Sequence, residues 1–369
     1  MSGLVPSPVR IIGTGLIGGS LGLALRRAGV TVQVEDVSPG TCALAVELGV
    51  GTVAGPEDPA PALVVVAAPP DVAAHLIADA LTRWPEAIVT DVASVKDIVL
   101  RGVTSLVDEE ALTRYVGGHP MAGREVSGVI AARADLFQGR PFVVVPHETT
   151  RPGAVSMLKG IATEIGSVPV VLSAREHDTA VAHVSHVPQV LSSLLATTLL
   201  DPAEVALGLA GQGLRDTTRI ADSDPRLWVE ILGANAAAVS EVLTSVRSRL
   251  DDVLEALDSM RGDPDPAVGS RRALASLIAD GNRGVRRIPG KHGGSVDAFA
   301  TVVVLVPDRP GELARLLTEI GQIGVNLEDL RLEHEIGRAV GLAHVSIVAG
   351  REDLLTRELD ARGWTVAEA

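Results

Sequence analysis

The sequence predicts a three-part α/β chain: a mostly parallel, doubly wound sheet, then an all-helical segment, then a small βαββαβ module of ferredoxin-like order. Three observations carry this. Short β-branched runs alternate with helix-like segments from Val9 to about Leu172, the pattern of parallel strands covered on both faces. From Ser173 to Leu257 apolar residues recur mostly every three or four positions, with no clear strand. Beyond residue 298, six segments read strand, helix, strand, strand, helix, strand.

Taken in order, the N-terminal strands are Val9 to Ile12, Val30 to Val34, Leu63 to Ala67, Ala87 to Asp91, Tyr115 to Gly118, Phe142 to Val145 and Val168 to Leu172. These place a first domain at 1–172. A helical substrate and dimerisation domain follows at 173–260. Its clearest helix opens at Asp224-Pro225, an N-cap residue followed by proline at the first helical position. Trp228, Ile231, Leu232, Val239, Val242, Val246, Leu250, Val253 and Leu257 then form one apolar stripe. A second copy of the chain would bury it economically, which predicts a homodimer. Residues 261–297 hold clustered Gly, Pro and basic residues around one short apolar helix near Ala273 to Ala279, and read as a linker. The last module, 298–369, runs through Thr301 to Val306, Gly311 to Ile323, Val325 to His334, Val340 to Val348, Glu352 to Arg362 and Trp364 to Val366.

Composition narrows the function. With 369 residues, 46% apolar and 21% charged, the chain can pack more than one core. A net charge of -14 offers no basic stripe for a phosphate backbone and argues against nucleic-acid binding. The single cysteine, Cys42, cannot form an internal disulfide, and Met1 to Arg10 lacks the apolar run of a signal peptide. The expected setting is the cytoplasm. Apolar stretches such as Leu63 to Pro70 fall far short of the roughly 20 residues that cross a bilayer, so no membrane span is expected.

The strand Val9 to Ile12 runs directly into Gly13-Thr14-Gly15-Leu16-Ile17-Gly18, followed by the helical Leu21 to Arg27. Gly13 suits a tight turn, Gly15 a close backbone approach to a pyrophosphate, and Gly18 the packing of helix on strand. The phosphates would sit over the helix N-terminus at Leu16 and Ile17, where unpaired N–H groups favour negative charge. A second strand, Thr31 to Val34, ends at Glu35-Asp36, about 20 residues beyond the turn, where an acid accepts from ribose hydroxyls. That context makes residues 1–172 a Rossmann domain. Asp36 would repel a 2'-phosphate and residues 37–40 contain no Lys or Arg, so the expected cofactor is NAD rather than NADP. Asp36 is the preferred acid, with Glu35 the alternative.

Two further loops follow strands of the same sheet. Asp91-Val92-Ala93-Ser94-Val95-Lys96 and His119-Pro120-Met121-Ala122-Gly123-Arg124-Glu125 fall at carboxyl ends of parallel strands, the edge where such sheets place ligands. A histidine there, with a serine nearby, could take or polarise a hydroxyl proton while hydride leaves the same carbon. The competing reading is a buried loop histidine, with Ser94 capping the next helix. In the helical part, Glu176-His177-Asp178 precedes His183 and His186 at helical spacing. A metal site is the minor reading there, because no established ligand pattern accompanies them, and no metal is expected. Pro188 predicts a disturbed helix beside His186, able to line a pocket. The Gly- and Thr-rich stretch 211–219 carries Arg215 and Arg219, able to bind a carboxylate bidentately or simply to remain solvated.

The segments GTGLIGGS, DVASVK, GGHPMAGREVSG, EHD with the later VSHVPQ, and DTTRIADSDPRLW, in that order, resemble the prephenate dehydrogenase family, in its form with a C-terminal ACT domain. The resemblance covers nearly the whole chain apart from the linker. It implies oxidation of prephenate: hydride passes from C4 of the dihydro ring to NAD, the ring carboxylate leaves as carbon dioxide, and aromatisation drives the step. It also implies that His119 accepts from the C4 hydroxyl and that Ser94 orients His119 and touches substrate. By the same similarity Arg219 holds a substrate carboxylate, His186 helps to form the pocket, Glu125 serves its polar entrance and Trp228 lines it. Gln189 stands where the family often has a second histidine, so no catalytic role falls to it. Arg124 is larger than the residue common in relatives.

Val306-Pro307-Asp308-Arg309-Pro310-Gly311-Glu312-Leu313 and Val325-Asn326-Leu327 resemble the ligand turn of ACT domains. An amino-acid effector, tyrosine, is thereby implied at Asp308, Pro310, Gly311 and Asn326, unless the module serves assembly alone. Three rival functions remain. Arogenate dehydrogenase differs only in accepting an amino group where prephenate has a keto group. A 3-hydroxy acid dehydrogenase would rely on a lysine in the helical domain, and none occurs from Ser173 to Leu257. A non-catalytic NAD and amino-acid sensor would have no use for Ser94, His119 and Arg219 together.

Overall fold

The computed structural model describes residues 6–123, 128–201, 204–261, 268–289, 299–334 and 340–367. They form two compact units, 1–245 and 246–369. The first unit opens with β1 (Val9–Ile12), α1 (Leu16–Arg27), β2 (Val32–Glu35), α2 (Pro39–Glu47), β3 (Thr52–Val53), β4 (Leu63–Val66) and α3 (Pro70–Arg83). It continues with β5 (Ile88–Asp91), α4 (Asp97–Leu106), α5 (Glu109–Leu112), β6 (Tyr115–Pro120), β7 (Pro141–Val145), α6 (Pro152–Glu164) and β8 (Val168–Val171). The eight strands make one sheet in the order β3-β2-β1-β4-β5-β6-β7-β8.

This is the doubly wound, mostly parallel sheet that the alternating pattern predicts. Both faces are covered, and β4 shows why its four residues are all apolar. Leu63 and Val65 enter one core with Ile11, Leu25 and Leu158, while Val64 and Val66 enter the other with Ile77, Leu81 and Val99. Two details differ from expectation. The two-residue strand β3 is too short to show any periodicity. In addition, β6 and β7 pair antiparallel, with His119 opposite Val143, so His119 belongs to the strand itself and not to the loop after it.

The helical part of this unit comprises α7 (Ala174–Val181), a π turn (Ala182–His186), α8 (Val187–Thr197), α9 (Glu204–Leu207), α10 (Gln212–Thr218), a 3-10 turn (Arg219–Ala221) and α11 (Pro225–Ala234). Helix α12 (Ala236–Met260) follows at an angle of 93° to α11. The single stripe expected from Trp228 to Leu257 is therefore broken. Asn235 is the break: its backbone leaves the helical region at φ -114 and ψ 29, and its side chain is held by other groups described below. The π turn precedes Pro188, as the predicted disturbance requires, and it contains both His183 and His186. His183 is exposed and His186 is buried, so the two do not share a face. Among the described residues no single helix is long and apolar enough to cross a membrane.

The second unit contains α13 (Val268–Val285), β9 (Phe299–Pro307), α14 (Glu312–Ile323), β10 (Leu327–His334), β11 (Val340–Val348), α15 (Glu352–Ala361) and β12 (Thr365–Ala367). Helix α13 spans 18 residues in a segment expected to be mostly linker. Its Ala-, Leu- and Arg-rich sequence is a good helix former, which outweighs its glycines. Residues 262–267 and 290–297 of the expected linker lie outside the described residues. The four strands form an antiparallel sheet in the order β10-β11-β9-β12. Val302, Val304 and Val306 on β9 and Ala343, Val345 and Ile347 on β11 alternate inward beneath Leu316, Ile320, Leu355 and Leu359 of the two helices.

Candidate active site

The carboxyl edge of the large sheet is built first by backbone constraint. Gly13 has φ +96, and a Cβ there would lie 2.3 Å from the Ala67 carbonyl oxygen. At Gly18 a Cβ would lie 2.0 Å from the carbonyl oxygen of Gly13. Both positions exclude any side chain. At Gly15 a Cβ would meet nothing within 4 Å, which leaves open space directly before α1. The N-cap of α1 is Gly15, which has no side chain to cap it, so the N–H groups at Leu16 and Ile17 suit an anion. This cradle fits a dinucleotide pyrophosphate.

Asp36 closes the other side of the turn. Its Oδ2 accepts from the Thr14 backbone N (2.7 Å) and hydroxyl (2.8 Å), and its Oδ1 accepts from Ser38 N (2.9 Å). Burial raises its pKa, but these bonds outweigh it and hold the carboxyl below its ordinary value, so it stays an anion. Glu35 is engaged elsewhere, 3.7 Å from Arg10 and 3.5 Å from Arg83. Of the two acids, Asp36 is the one hydrogen-bonded to the nucleotide turn.

His119 lies two strands from the turn's own strand neighbour β4, near the carboxyl end of β6. Its Nδ1 is 2.8 Å from Nε2 of His177, and Nδ1 of His177 is 2.8 Å from Oδ1 of Asp178. Asp178 also accepts from the backbone N of Lys96 (2.8 Å) and of Asp97 (2.9 Å). The carboxylate thus caps α4, the task considered for Ser94. Ser94 itself is half-buried in the loop between β5 and α4. Burial, then the adjacent His177, Lys96 and His186, push the pKa of His119 well below 6.5. It is a neutral imidazole at physiological pH.

Beneath it, Lys96 is fully buried, hydrogen-bonded to Asp91 and donating to the Gly118 carbonyl oxygen at 2.8 Å. Tyr115 donates to the other Asp91 oxygen at 2.7 Å. A buried charge pair persists only when its remaining polar atoms are satisfied, and here the pair fixes the backbone immediately before His119.

On the helical side, the Asn235 amide nitrogen donates to the Asp178 backbone oxygen (2.8 Å) and lies 3.1 Å from Nδ1 of His186. A carbonyl oxygen can only accept, so the amide orientation is fixed, and Nδ1 of His186 is the acceptor. His186 therefore carries its proton on Nε2. Burial brings its pKa to about 4, and its ring meets Trp228 edge-on with centroids 6.2 Å apart. Arg219 is exposed on the 3-10 turn packed against α8. Ser192 donates to the Thr217 carbonyl (2.8 Å) and Gln189 to the Ser223 hydroxyl (2.7 Å), so Gln189 braces the loop that carries Arg219. Glu125 and Arg124 lie outside the described residues.

The structure thus links His119, His186 and Trp228 through His177, Asp178 and Asn235. Among these connectors, only the Glu176-His177-Asp178 segment stood out in sequence, without a role. Thr14 and Asn235 gave no signal.

A dinucleotide cradle and a neutral histidine on one sheet edge define an NAD-dependent oxidoreductase. Residues 21–171 match the nucleotide-binding domain of prephenate dehydrogenase, and residues 173–265 match its dimerisation domain. The chain belongs to the prephenate dehydrogenase family. It is 36% identical over 357 residues to Probable prephenate dehydrogenase NovF of Streptomyces niveus, spanning 96% of this chain and 98% of that one. Among solved structures it is similar to prephenate dehydrogenase from A. aeolicus in complex with hydroxyphenyl propionate and NAD+ (26% identity, TM-score 0.67, 77% of this chain and 99% of that chain). It is also similar to Synechocystis arogenate dehydrogenase (28% identity, TM-score 0.62, 75% and 99%).

Proposed function

We propose that the chain converts prephenate and NAD+ to 4-hydroxyphenylpyruvate, carbon dioxide and NADH, the oxidative step towards tyrosine. The observation that carries this reading is neutral His119 at the carboxyl edge of the sheet that bears the nucleotide turn. Bound NAD supplies the hydride acceptor. His119 Nε2 accepts the C4 hydroxyl proton, Ser94 holds the hydroxyl beside it, and Arg219 pairs with a substrate carboxylate. His186, with its proton on Nε2, donates to an anionic substrate in the pocket that Trp228 lines, and Glu125 serves the entrance. Gly13, Gly15, Leu16, Ile17 and Gly18 hold the pyrophosphate, and Asp36 turned towards a ribose excludes a 2'-phosphate.

The competing substrate is arogenate, whose dehydrogenase from Synechocystis has a similar structure. Steady-state kinetics with both compounds tests the choice. We expect the larger kcat/KM with prephenate, and a large excess for arogenate overturns it.

We further propose a homodimer, supported by the dimerisation-domain match and by exposed apolar side chains at Leu194, Leu200, Val205 and Leu209. For the C-terminal module we propose an ACT-type fold that binds tyrosine at Asp308, Pro310, Gly311 and Asn326. Support comes from its βαββαβ order, from the left-handed Gly311 (φ +91) before α14, and from the exposure of all four residues.

A further inference from the structure

The Glu176-His177-Asp178 segment has no part in the roles above, yet it touches the reacting histidine. We propose that His177 and Asp178 are positioning residues that hold His119 in the tautomer protonated on Nδ1, leaving the Nε2 lone pair for the substrate hydroxyl. The inference deepens the proposed dehydrogenase reaction and rests on it.

Hydrogen-bond inventory alone leads there. The Asp178 carboxylate can only accept, so the proton on its 2.8 Å contact with His177 resides on His177 Nδ1. In a neutral His177 the other nitrogen, Nε2, is then an acceptor. The 2.8 Å contact between that atom and His119 Nδ1 needs one donor, and only His119 can supply it. His119 Nε2 is left as the lone pair, and it has no hydrogen-bond partner among the described residues. The opposite arrangement would put a proton on His119 Nε2 and make it a donor, unable to take the hydroxyl proton.

Asp178 is itself held in place. It accepts from the backbone N of Lys96 and Asp97, and its carbonyl accepts from Asn235. When the substrate hydroxyl proton moves to His119 Nε2, positive charge develops on His119. Its Nδ1–H already points along the bond to His177, with the Asp178 anion behind. The other ionic groups facing the network are Lys96, neutralised by Asp91, and His186. Among the described residues, Asp178 is therefore the carboxylate aligned with the developing charge.

Two measurements on the full-length protein test this. With 15N-labelled histidine, assigned by loss of the signal in His119→Gln, the wild type should show an unprotonated Nε2 and a protonated Nδ1 at His119 near neutral pH. A protonated Nε2 there overturns the proposal, and this reading needs no substrate. In kinetics, His177→Ala should lower kcat by about 100-fold with both KM values unchanged. His177→Gln, whose amide oxygen can accept from Nδ1–H, should recover part of kcat. Unchanged kcat in His177→Ala, or a loss matched by weaker NAD binding and a lower Tm without recovery in His177→Gln, overturns the proposal. If the wild type shows the expected tautomer but does not oxidise prephenate, the proposed reaction fails and the positioning role stands.

Discussion

His119 must accept a proton during turnover yet remain unprotonated beforehand, and its surroundings meet both conditions. Burial first, then the neighbouring His177, Lys96 and His186, lower its pKa, so the neutral form persists below the ordinary histidine value of 6.5. The sign follows directly: kcat/KM should stay flat as pH falls through 6.5 and decline only at the lower pKa of the free enzyme's base. A pH–rate profile with an acid limb at or above 6.5 would contradict this assignment. His119 was legible because it lies at the end of a clear strand near a second loop of the same sheet. Its tautomer was not, because the partner that sets it is 58 residues away in sequence and sequence spacing carries no information about a contact made by folding.

At the scale of elements, the nucleotide turn separates two jobs that glycine can do. Gly18→Ala would drive a Cβ into the Gly13 carbonyl, which lies 2.0 Å away and is backbone that cannot step aside. Gly15→Ala meets nothing, yet it fills the space through which the pyrophosphate approaches. We expect Gly18→Ala to lower Tm and abolish NAD binding, by a cost of about 1–3 kcal/mol for overpacking, while Gly15→Ala keeps Tm and weakens NAD alone. Calorimetry and fluorescence titration of both variants check the contrast. The strand, turn, helix and acid of this element were readable because all four are local in sequence. The break at Asn235 was not. The apolar stripe resumes on the same spacing at Val239 after Leu232, and the distant Asp178 and His186 hold the Asn235 side chain where the chain turns. The antiparallel β6–β7 pairing was hidden for a related reason, since apolar strands buried on both faces look alike in either direction.

Over the whole molecule, the alternation of strands and helices was enough to predict the large sheet, and the order of strands and helices beyond residue 298 was enough to predict the small one. The stretch between them was misread in part, because glycines and a run of arginines conceal the helix α13. The C-terminal module yields its own prediction. Tyrosine should bind the full-length protein and lower its turnover, with phenylalanine binding more weakly, and Asn326→Ala should weaken tyrosine binding without changing uninhibited kcat. Titration calorimetry that detects no heat with either amino acid would assign the module to assembly instead.

The central claim is the reaction. Incubating the purified protein with prephenate and NAD+ should produce NADH, carbon dioxide and 4-hydroxyphenylpyruvate in equal amounts, and His119→Ala should lose most of kcat while retaining NAD affinity. A wild-type protein that binds NAD but forms no NADH from prephenate, or a His119→Ala variant with normal turnover, would contradict the account.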